Sequence, residues 1–255
     1  MRITVCKNSL QLGKAAAKFT AEKLKKCIEE KGCARIVLST GASQMDTLRE
    51  LIGTDVDWSK IEMFHLDEYV DLEENHKASF RKYLKERFIS KINLKKAYLI
   101  DGKAESIPYL SEEIRKSPID VGLIGIGENA HIAFNDPPAD FDTIEAYRIV
   151  NLTDRCKRQQ VREKWFNNVD EVPKQAVSMT VYQILQCNTI VSSVPYVVKA
   201  EAVRDTLYHD ITNRVPATIL KKHSDFNLFL DRKSVSLIDR DRINALGKEY
   251  SFTVL

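Results

Sequence analysis

The sequence predicts an α/β protein built on a doubly wound, mostly parallel, Rossmann-like sheet with helices on both faces. Short β-branched runs alternate with longer segments whose apolar residues recur at helical spacing, the element order of parallel strands joined by crossover helices. Several of the apolar runs stop at loops rich in glycine, hydroxyl or acidic residues, the place where open sheets of this kind hold ligands.

Strands are expected over 2–6, 35–39, 61–66, 97–100, 121–126, 189–194 and 227–230. Behind the first, Ala15, Phe19, Leu24 and Ile28 recur at roughly helical spacing up to Gly32, a residue type favoured just past a helix end. Met45, Leu48 and Leu51 mark a helix behind the second strand, and Phe80, Tyr83, Leu84 and Phe88 mark one behind the third. A helix over 197–208, with Val198, Ala202 and Leu207 as its apolar side, follows the sixth. The segment 137–147 has the least regular pattern and is expected to be a mobile loop. No repeat or Pro/Gly/Ser-rich linker interrupts the pattern, so residues 1–255 are expected to form one domain.

The charges, 39 Lys and Arg against 36 Asp and Glu, are scattered and nearly cancel to +3. That balance gives no reason to expect nucleic acid or a membrane surface as partner. Cys6, Cys27, Cys33, Cys156 and Cys187 are odd in number and contain no C-x-x-C pair, which argues against a disulfide framework or a zinc site and for a reducing compartment. No apolar run approaches the ~18 residues a membrane span needs. A soluble, cytoplasmic protein is expected. A homo-oligomer is compatible with the pattern and not dictated by it.

Three strand-end loops carry the chemistry. Ser39-Thr40-Gly41-Ala42-Ser43-Gln44 joins the second strand to a helix, and small residues with hydroxyl donors and exposed amides at a helix start make an anion cradle. It has neither the Walker spacing nor the G-x-G-x-x-G fingerprint, and Ser43 could equally serve as a helix N-cap. In Phe64-His65-Leu66-Asp67-Glu68-Tyr69-Val70 an apolar strand stops at two adjacent acids. Asp67 is expected to face the crevice as a base, its pKa raised by partial desolvation, while Glu68 organises the turn. In Gly125-Ile126-Gly127-Glu128-Asn129-Ala130-His131 a histidine stands behind a buried strand, with Asn135 and Asp136 after it. A carboxylate within reach orients such a histidine for proton exchange near neutral pH. A metal held by His131, Asp136 and Asp67 is the weaker reading, because no second His or Cys sits at ligand spacing. Together the loops describe a site for a small phosphorylated molecule that undergoes proton transfer beside a carbonyl.

At these residues the chain resembles the glucosamine-6-phosphate deaminase (isomerase) family. Its members carry a Thr-Gly-Gly-Thr-Pro-like loop, a Met-Asp-Glu-Tyr-Val-Gly-Leu-like segment and a Gly-His-Ile-Ala-Phe-Asn-Glu-Pro-like loop. Matching stretches run here in the same order, from Thr40 through Leu66-Asp67-Glu68-Tyr69-Val70-Asp71-Leu72 to His131-Ile132-Ala133-Phe134-Asn135-Asp136-Pro137. Val172-Pro173-Lys174, Lys199-Ala200 and the run Pro216-Ala217-Thr218-Ile219-Leu220-Lys221-Lys222-His223 resemble later landmarks, so the likeness spans nearly the whole chain. The resemblance implies hydrolytic deamination of an amino-sugar phosphate coupled to aldose–ketose isomerisation, giving a ketose phosphate and ammonia. It implies His131 as the ring-opening group and Asp67 as the carrier of a proton between the second and first carbons. Thr40, Gly41, Ala42 and Ser43 would hold the phosphate, with Lys199 adding positive charge, and neither metal nor organic cofactor is implied.

Three positions depart from the family pattern. Asn129 stands where an aspartate is usual and Asp136 where a glutamate is common, which bears on how the histidine is tuned and leaves the sugar epimer open, since asparagine there resembles the galactosamine-6-phosphate isomerase branch. The basic residue that clasps the phosphate falls on Arg162 by residue count, with Lys164 and Arg158 as alternatives. A 6-phosphogluconolactonase would share the fold without needing Asp67, and a non-catalytic sugar-phosphate-binding regulator would keep the pocket alone. The first usually shows Gly-His-Thr-Ala-Ser-Leu-Phe-Pro at the histidine loop; the second is usually joined to a DNA-binding helix-turn-helix, and residues before Arg35 hold only a strand and one helix.

Overall fold

The computed structural model describes residues 1–249 and 251–255. Along the chain it runs β1 (Arg2–Cys6), α1 (Ser9–Lys31), β2 (Ala34–Leu38), α2 (Met45–Ile52), β3 (Ile61–His65), β4 (Asp67–Tyr69), α3 (Phe80–Arg87), β5 (Lys96–Tyr98), α4 (Ile107–Arg115) and β6 (Val121–Leu123). It continues through β7 (Tyr147–Asn151), α5 (Asp154–Arg162), β8 (Gln175–Met179), α6 (Val181–Leu185), β9 (Thr189–Val194), α7 (Ala200–Tyr208), β10 (Phe226–Asp231), α8 (Arg240–Glu249) and β11 (Ser251–Val254).

Eight strands form one sheet in the order β11-β1-β10-β9-β6-β2-β3-β5, and each neighbouring pair is parallel. Successive side chains of a strand point to opposite faces, so each face needs its own cover. Ile36, Leu38, Ile61 and Met63 pack on one face with Leu12 and Leu24 of α1, Leu48 and Leu51 of α2 and Leu84 of α3. Val37, Phe64, Leu228 and Leu230 pack on the other with Leu110 and Ile114 of α4, Ile184 of α6 and Val203 and Leu207 of α7. This is the doubly wound arrangement the sequence predicts.

The helices end where local chemistry ends them. Asn8 caps α1 by accepting the Gln11 N–H, and Gly32 closes it in the left-handed conformation with its N–H on the Ile28 carbonyl. Ala15, Phe19 and Ile28 flank the buried stripe of α1, whose centre is Leu12, Ala16, Ala17, Thr20 and Leu24. Val198 corrects the expected helix over 197–208: it is 46% exposed. Residues 197–199 form a 3₁₀ turn, and the apolar side of α7 begins only at Ala200.

All seven expected strands are present, but the one beginning at Val121 stops at Leu123. The segment expected to be an irregular loop lacks helix or strand only as far as residue 146; Tyr147 opens β7. With β4 and β8 it builds a second sheet, antiparallel, in the order β4-β8-β7, which the sequence pattern did not announce. Because β4 follows β3 after a single residue, this small sheet sits at the carboxyl end of the large one and carries α5 between two of its strands. Among the described residues no helix is long and apolar enough to cross a membrane.

Candidate active site

The carboxyl ends of four adjacent strands, β9, β6, β2 and β3, feed one cleft of about 270 Å³. That is the size of a site for one small molecule and too small for a dinucleotide. Ser39 to Ser43 follow β2, Leu66 and Asp67 follow β3, Gly125 to Glu128 with His131, Ala133 and Phe134 follow β6, and Tyr196, Val198 and Lys199 follow β9.

The loop after β2 turns at Gly41, whose φ of +97° is a conformation that side chains disfavour. A 3₁₀ turn over Ala42–Gln44 then leads into α2. Ser43 lies inside this turn and caps nothing, so its alternative reading as an N-cap falls. The amides of Thr40, Gly41, Ala42 and Ser43 donate to no group among the described residues. Unpaired amides at a helix start attract anions. The Tyr83 hydroxyl, donating to the Gly41 carbonyl at 3.3 Å, ties the loop to α3.

The two adjacent acids separate because β4 is a strand and its neighbours point to opposite sides. Asp67 faces the cleft, with no hydrogen bond to its carboxylate among the described residues. Burial, helped by the nearby Glu68 charge, pushes its pKa up to about 8. Glu68 turns inward and is wholly buried. It accepts from the Tyr69, Phe80 and Arg81 amides, from Ser79 Oγ at 3.0 Å and from Arg81 Nε at 3.3 Å. It organises the start of α3, the role expected for it.

The histidine loop is held by Asn135, whose Nδ2 donates to the Ile132 and Met179 carbonyls, both at 2.8 Å. Ala130 and Ala133 take positive φ values of 62° and 49°, a cost this loop carries to present His131. His131 Nδ1 lies 2.5 Å from Asn129 Oδ1 and 3.1 Å from Asp136 Oδ1. The Asn129 amide also donates to Asp136 Oδ1 at 2.9 Å, and Thr153 Oγ1 donates to Asp136 Oδ2 at 2.7 Å. Burial alone would raise the Asp136 carboxyl; the hydrogen bonds from His131, Thr153 and Asn129, with the charge of a protonated His131, outweigh it and hold it at about 2. Asp136 therefore reaches the histidine despite its short side chain. With Nδ1 engaged as donor, the neutral ring carries its lone pair on Nε2, which has no partner among the described residues.

Lys199 is 6% exposed, and its ammonium has no hydrogen bond or ion pair among the described residues. Burial, assisted by Arg162 and opposed by Glu163, pushes its pKa down to about 8. Arg162 lines the same cleft and rests on the Glu128 carboxylate, whereas Lys164 and Arg158 are outside the lining. Sequence reasoning missed the roof contributed by Gln159, Gln160, Glu163 and Trp165 of α5 and the turn after it. Gln159 donates to Glu163 Oε1 at 2.8 Å and Trp165 Nε1 to Glu163 Oε2 at 3.1 Å. Thr153, accepting the Cys156 amide, is an N-cap signal that would have located the helix.

A family model described as glucosamine-6-phosphate isomerases/6-phosphogluconolactonase matches residues 7–229. The chain belongs to this family. Within the glucosamine-6-phosphate isomerase/6-phosphogluconolactonase family it is 32% identical to a glucosamine-6-phosphate deaminase of Lactobacillus delbrueckii subsp. bulgaricus, over 93% of this chain and 100% of that one. It is likewise 32% identical to a glucosamine-6-phosphate deaminase of Streptococcus gordonii, over 94% of this chain and all of the relative. Among solved structures, a monomeric glucosamine-6-phosphate deaminase superposes with a TM-score of 0.85 at 30% identity, covering 93% of this chain and 100% of that one. A 6-phosphogluconolactonase from Shewanella baltica superposes with a TM-score of 0.73 at 18% identity, covering 91% and 98%, a likeness of fold alone.

Proposed function

We propose that this family member deaminates an amino-sugar 6-phosphate by hydrolysis coupled to aldose–ketose isomerisation, releasing ammonia and a ketose 6-phosphate. One observation carries the reading: a desolvated carboxylate and an ammonium, both unpaired among the described residues, line a single small cleft with an oriented imidazole. The near-full-length deaminase relatives support it.

Lys199, the amides of Thr40, Gly41, Ala42 and Ser43, and Arg162 hold the phosphate. Arg162 leaves Glu128 to do so, exchanging one carboxylate for a dianion. His131 Nε2 takes the C1 hydroxyl proton and passes it to the ring oxygen as the C1–O5 bond breaks, and the Asn129 and Asp136 oxygens stabilise the transient imidazolium. Asp67 then removes the proton from the second carbon of the open-chain amino aldose and returns it to the first. The double bond moves from C1–O to C2–N as a proton of the C2 ammonium passes to the C1 oxygen, water adds to the resulting iminium carbon, and the nitrogen takes a proton from that water and leaves as ammonia. A carboxylate titrating near 8 is a far better carbon base than one titrating at the ordinary aspartate value of 3.8. A phosphorylated substrate and unpaired cysteines fit a reducing cytoplasm.

Incubation with glucosamine-6-phosphate, galactosamine-6-phosphate and 6-phosphogluconolactone, with ammonia and acid release measured separately, tests the reading. Ammonia from either sugar supports it and identifies the epimer; acid from the lactone alone refutes it.

The two perturbed groups fix the pH profile. Asp67 acts ionised, so kcat/KM rises with pH up to about 8. Lys199 binds phosphate as a cation, so kcat/KM falls as pH passes about 8 and that charge is lost. Rate measurements should give a bell centred near pH 8, its alkaline limb moving upward in Lys199→Arg, where the charge persists.

Gly127 sets the position of the imidazole. A Cβ there would lie 2.2–2.5 Å from Cε1, Nε2 and Cδ2 of His131, so the ring must move. Gly127→Ala is expected to cut kcat/KM by about 10²-fold, the effect of a misplacement near 1 Å, while urea unfolding shows a loss of no more than about 1–3 kcal/mol.

A further inference from the structure

Behind the His131 ring lies a donor set the proposed mechanism leaves partly unused. One atom each from the His131 imidazole, the Asp136 carboxylate and the Cys156 thiol lie within 4.8 Å of one another. We propose that these three side chains form a site for a borderline-soft divalent cation of the Zn²⁺ type, whose occupancy reversibly silences the cleft by taking His131 out of its hydrogen bond to Asp136.

The geometry is close to what such a cation needs. With metal–ligand bonds of roughly 2.0–2.3 Å in a tetrahedron, donor atoms stand about 3.3–3.8 Å apart. Nδ1 and Oδ1 are already 3.1 Å apart. Asn129 Oδ1, 2.5 Å from Nδ1, offers a fourth donor once it backs away. Thr153 ties two of the ligands together: its Oγ1 donates to Asp136 Oδ2 at 2.7 Å and accepts the Cys156 amide at 3.2 Å. An outer contact of that kind orients a carboxylate and leaves its other oxygen for the metal. Cys156 is 1% exposed in the first turn of α5, among apolar neighbours. Burial and the nearby Asp136 carboxylate push its thiol pKa up, so the proton stays on sulfur until a cation displaces it. It is distant in sequence from His131, which is why ligand spacing could not reveal it; Asp67, the third ligand in the sequence reading, is absent from the cluster.

Binding breaks the Cys156 S–H bond and forms S–metal, the thiol proton passing to solvent. The His131 proton moves from Nδ1 to Nε2, so the ring coordinates while neutral and no longer offers Nε2 as an acceptor. No electron transfer is involved. One proton leaves per cation, and affinity rises about tenfold per pH unit below the thiol's pKa.

Titration of the purified protein with Zn²⁺ in buffers of different ionisation enthalpy reads stoichiometry and proton release together, and Co²⁺ in place of Zn²⁺ reports sulfur ligation by its thiolate-to-metal absorption band. One high-affinity equivalent, one proton released and a thiolate band are expected. Cys156→Ser should lose the band and weaken Zn²⁺ binding by at least about 100-fold, whereas Cys27→Ser should change neither. Equal affinity in Cys156→Ser, or a band that survives it, overturns the site. In assays of ammonia release, Zn²⁺ should block the wild type, EDTA should restore it, and Cys156→Ser should resist; Zn²⁺ bound through Cys156 without inhibition overturns the silencing. The inhibition half rests on the deaminase reading and the binding half does not, so a chain that binds Zn²⁺ as described but releases no ammonia refutes only the former.

Discussion

Asp67→Asn is expected to lower kcat/KM for the amino-sugar phosphate by roughly 10⁴-fold and, at the same time, to raise the melting temperature. The rate loss follows because one carboxylate makes both proton transfers, and each general acid–base step of this kind contributes about 10²–10⁴-fold. The stability gain follows from the same desolvation that makes Asp67 a base. Its pKa is raised from 3.8 in the exposed chain to about 8 in the fold. Below about pH 4 both states hold the proton and nothing is lost. Between the two values the unfolded chain ionises while the folded protein still binds the proton, so stability falls as pH rises, and above about 8 the full penalty remains. Asparagine removes that penalty. The melting-temperature difference between variant and wild type should therefore grow from pH 4 to pH 8 and then level off, at about 2–4 °C for each kcal/mol recovered. A variant that loses activity and also melts lower would contradict the claim that Asp67 is held against the preference of the fold.

The large sheet was legible because its strands are buried on both faces and therefore read as short continuous runs rich in β-branched residues, as in Ile36-Val37-Leu38 and Thr189-Ile190-Val191. The site loops were legible for the same reason: each is the polar stop of such a run. The small sheet was not. Asp67, Glu68 and Tyr69 read as a turn after an apolar strand, and only pairing with Ser178, Val177 and Ala176 makes them β4. A three-residue strand has no period to detect. α5 escaped because its buried positions include Gln159 and Gln160, polar side chains that line the cleft. A helix that covers a site instead of a core shows no apolar stripe. Lys199 was legible through family resemblance; its burial, with no counter-ion among the described residues, is visible only in three dimensions.

The neighbouring acid should behave in the opposite way. Glu68→Ala is expected to cost about 3–5 kcal/mol, because the substitution strands a buried Arg81 along with three backbone amides that have no water to turn to. Glu68→Gln should recover little of that. Glu68 Oε1 accepts from the Tyr69 and Phe80 amides and Oε2 from Ser79 Oγ and both Arg81 donors, so an NH₂ group at either end meets N–H donors head on. Arg81 has other anchors, the Asp101 and Leu72 carbonyls at 2.8 and 2.6 Å, which keep the segment attached while its helix start loosens. That start carries Phe80, a wall of the cleft, and one turn on Tyr83, which ties down the Gly41 carbonyl. The loss of order should therefore reach the phosphate cradle before it reaches Asp67, whose backbone is paired to Ser178. At a temperature where the variant is still folded, KM should rise by more than kcat falls, and inorganic phosphate should compete with substrate more weakly. A kcat loss on the scale of Asp67→Asn with KM unchanged would instead place Glu68 among the groups that touch the reacting carbons.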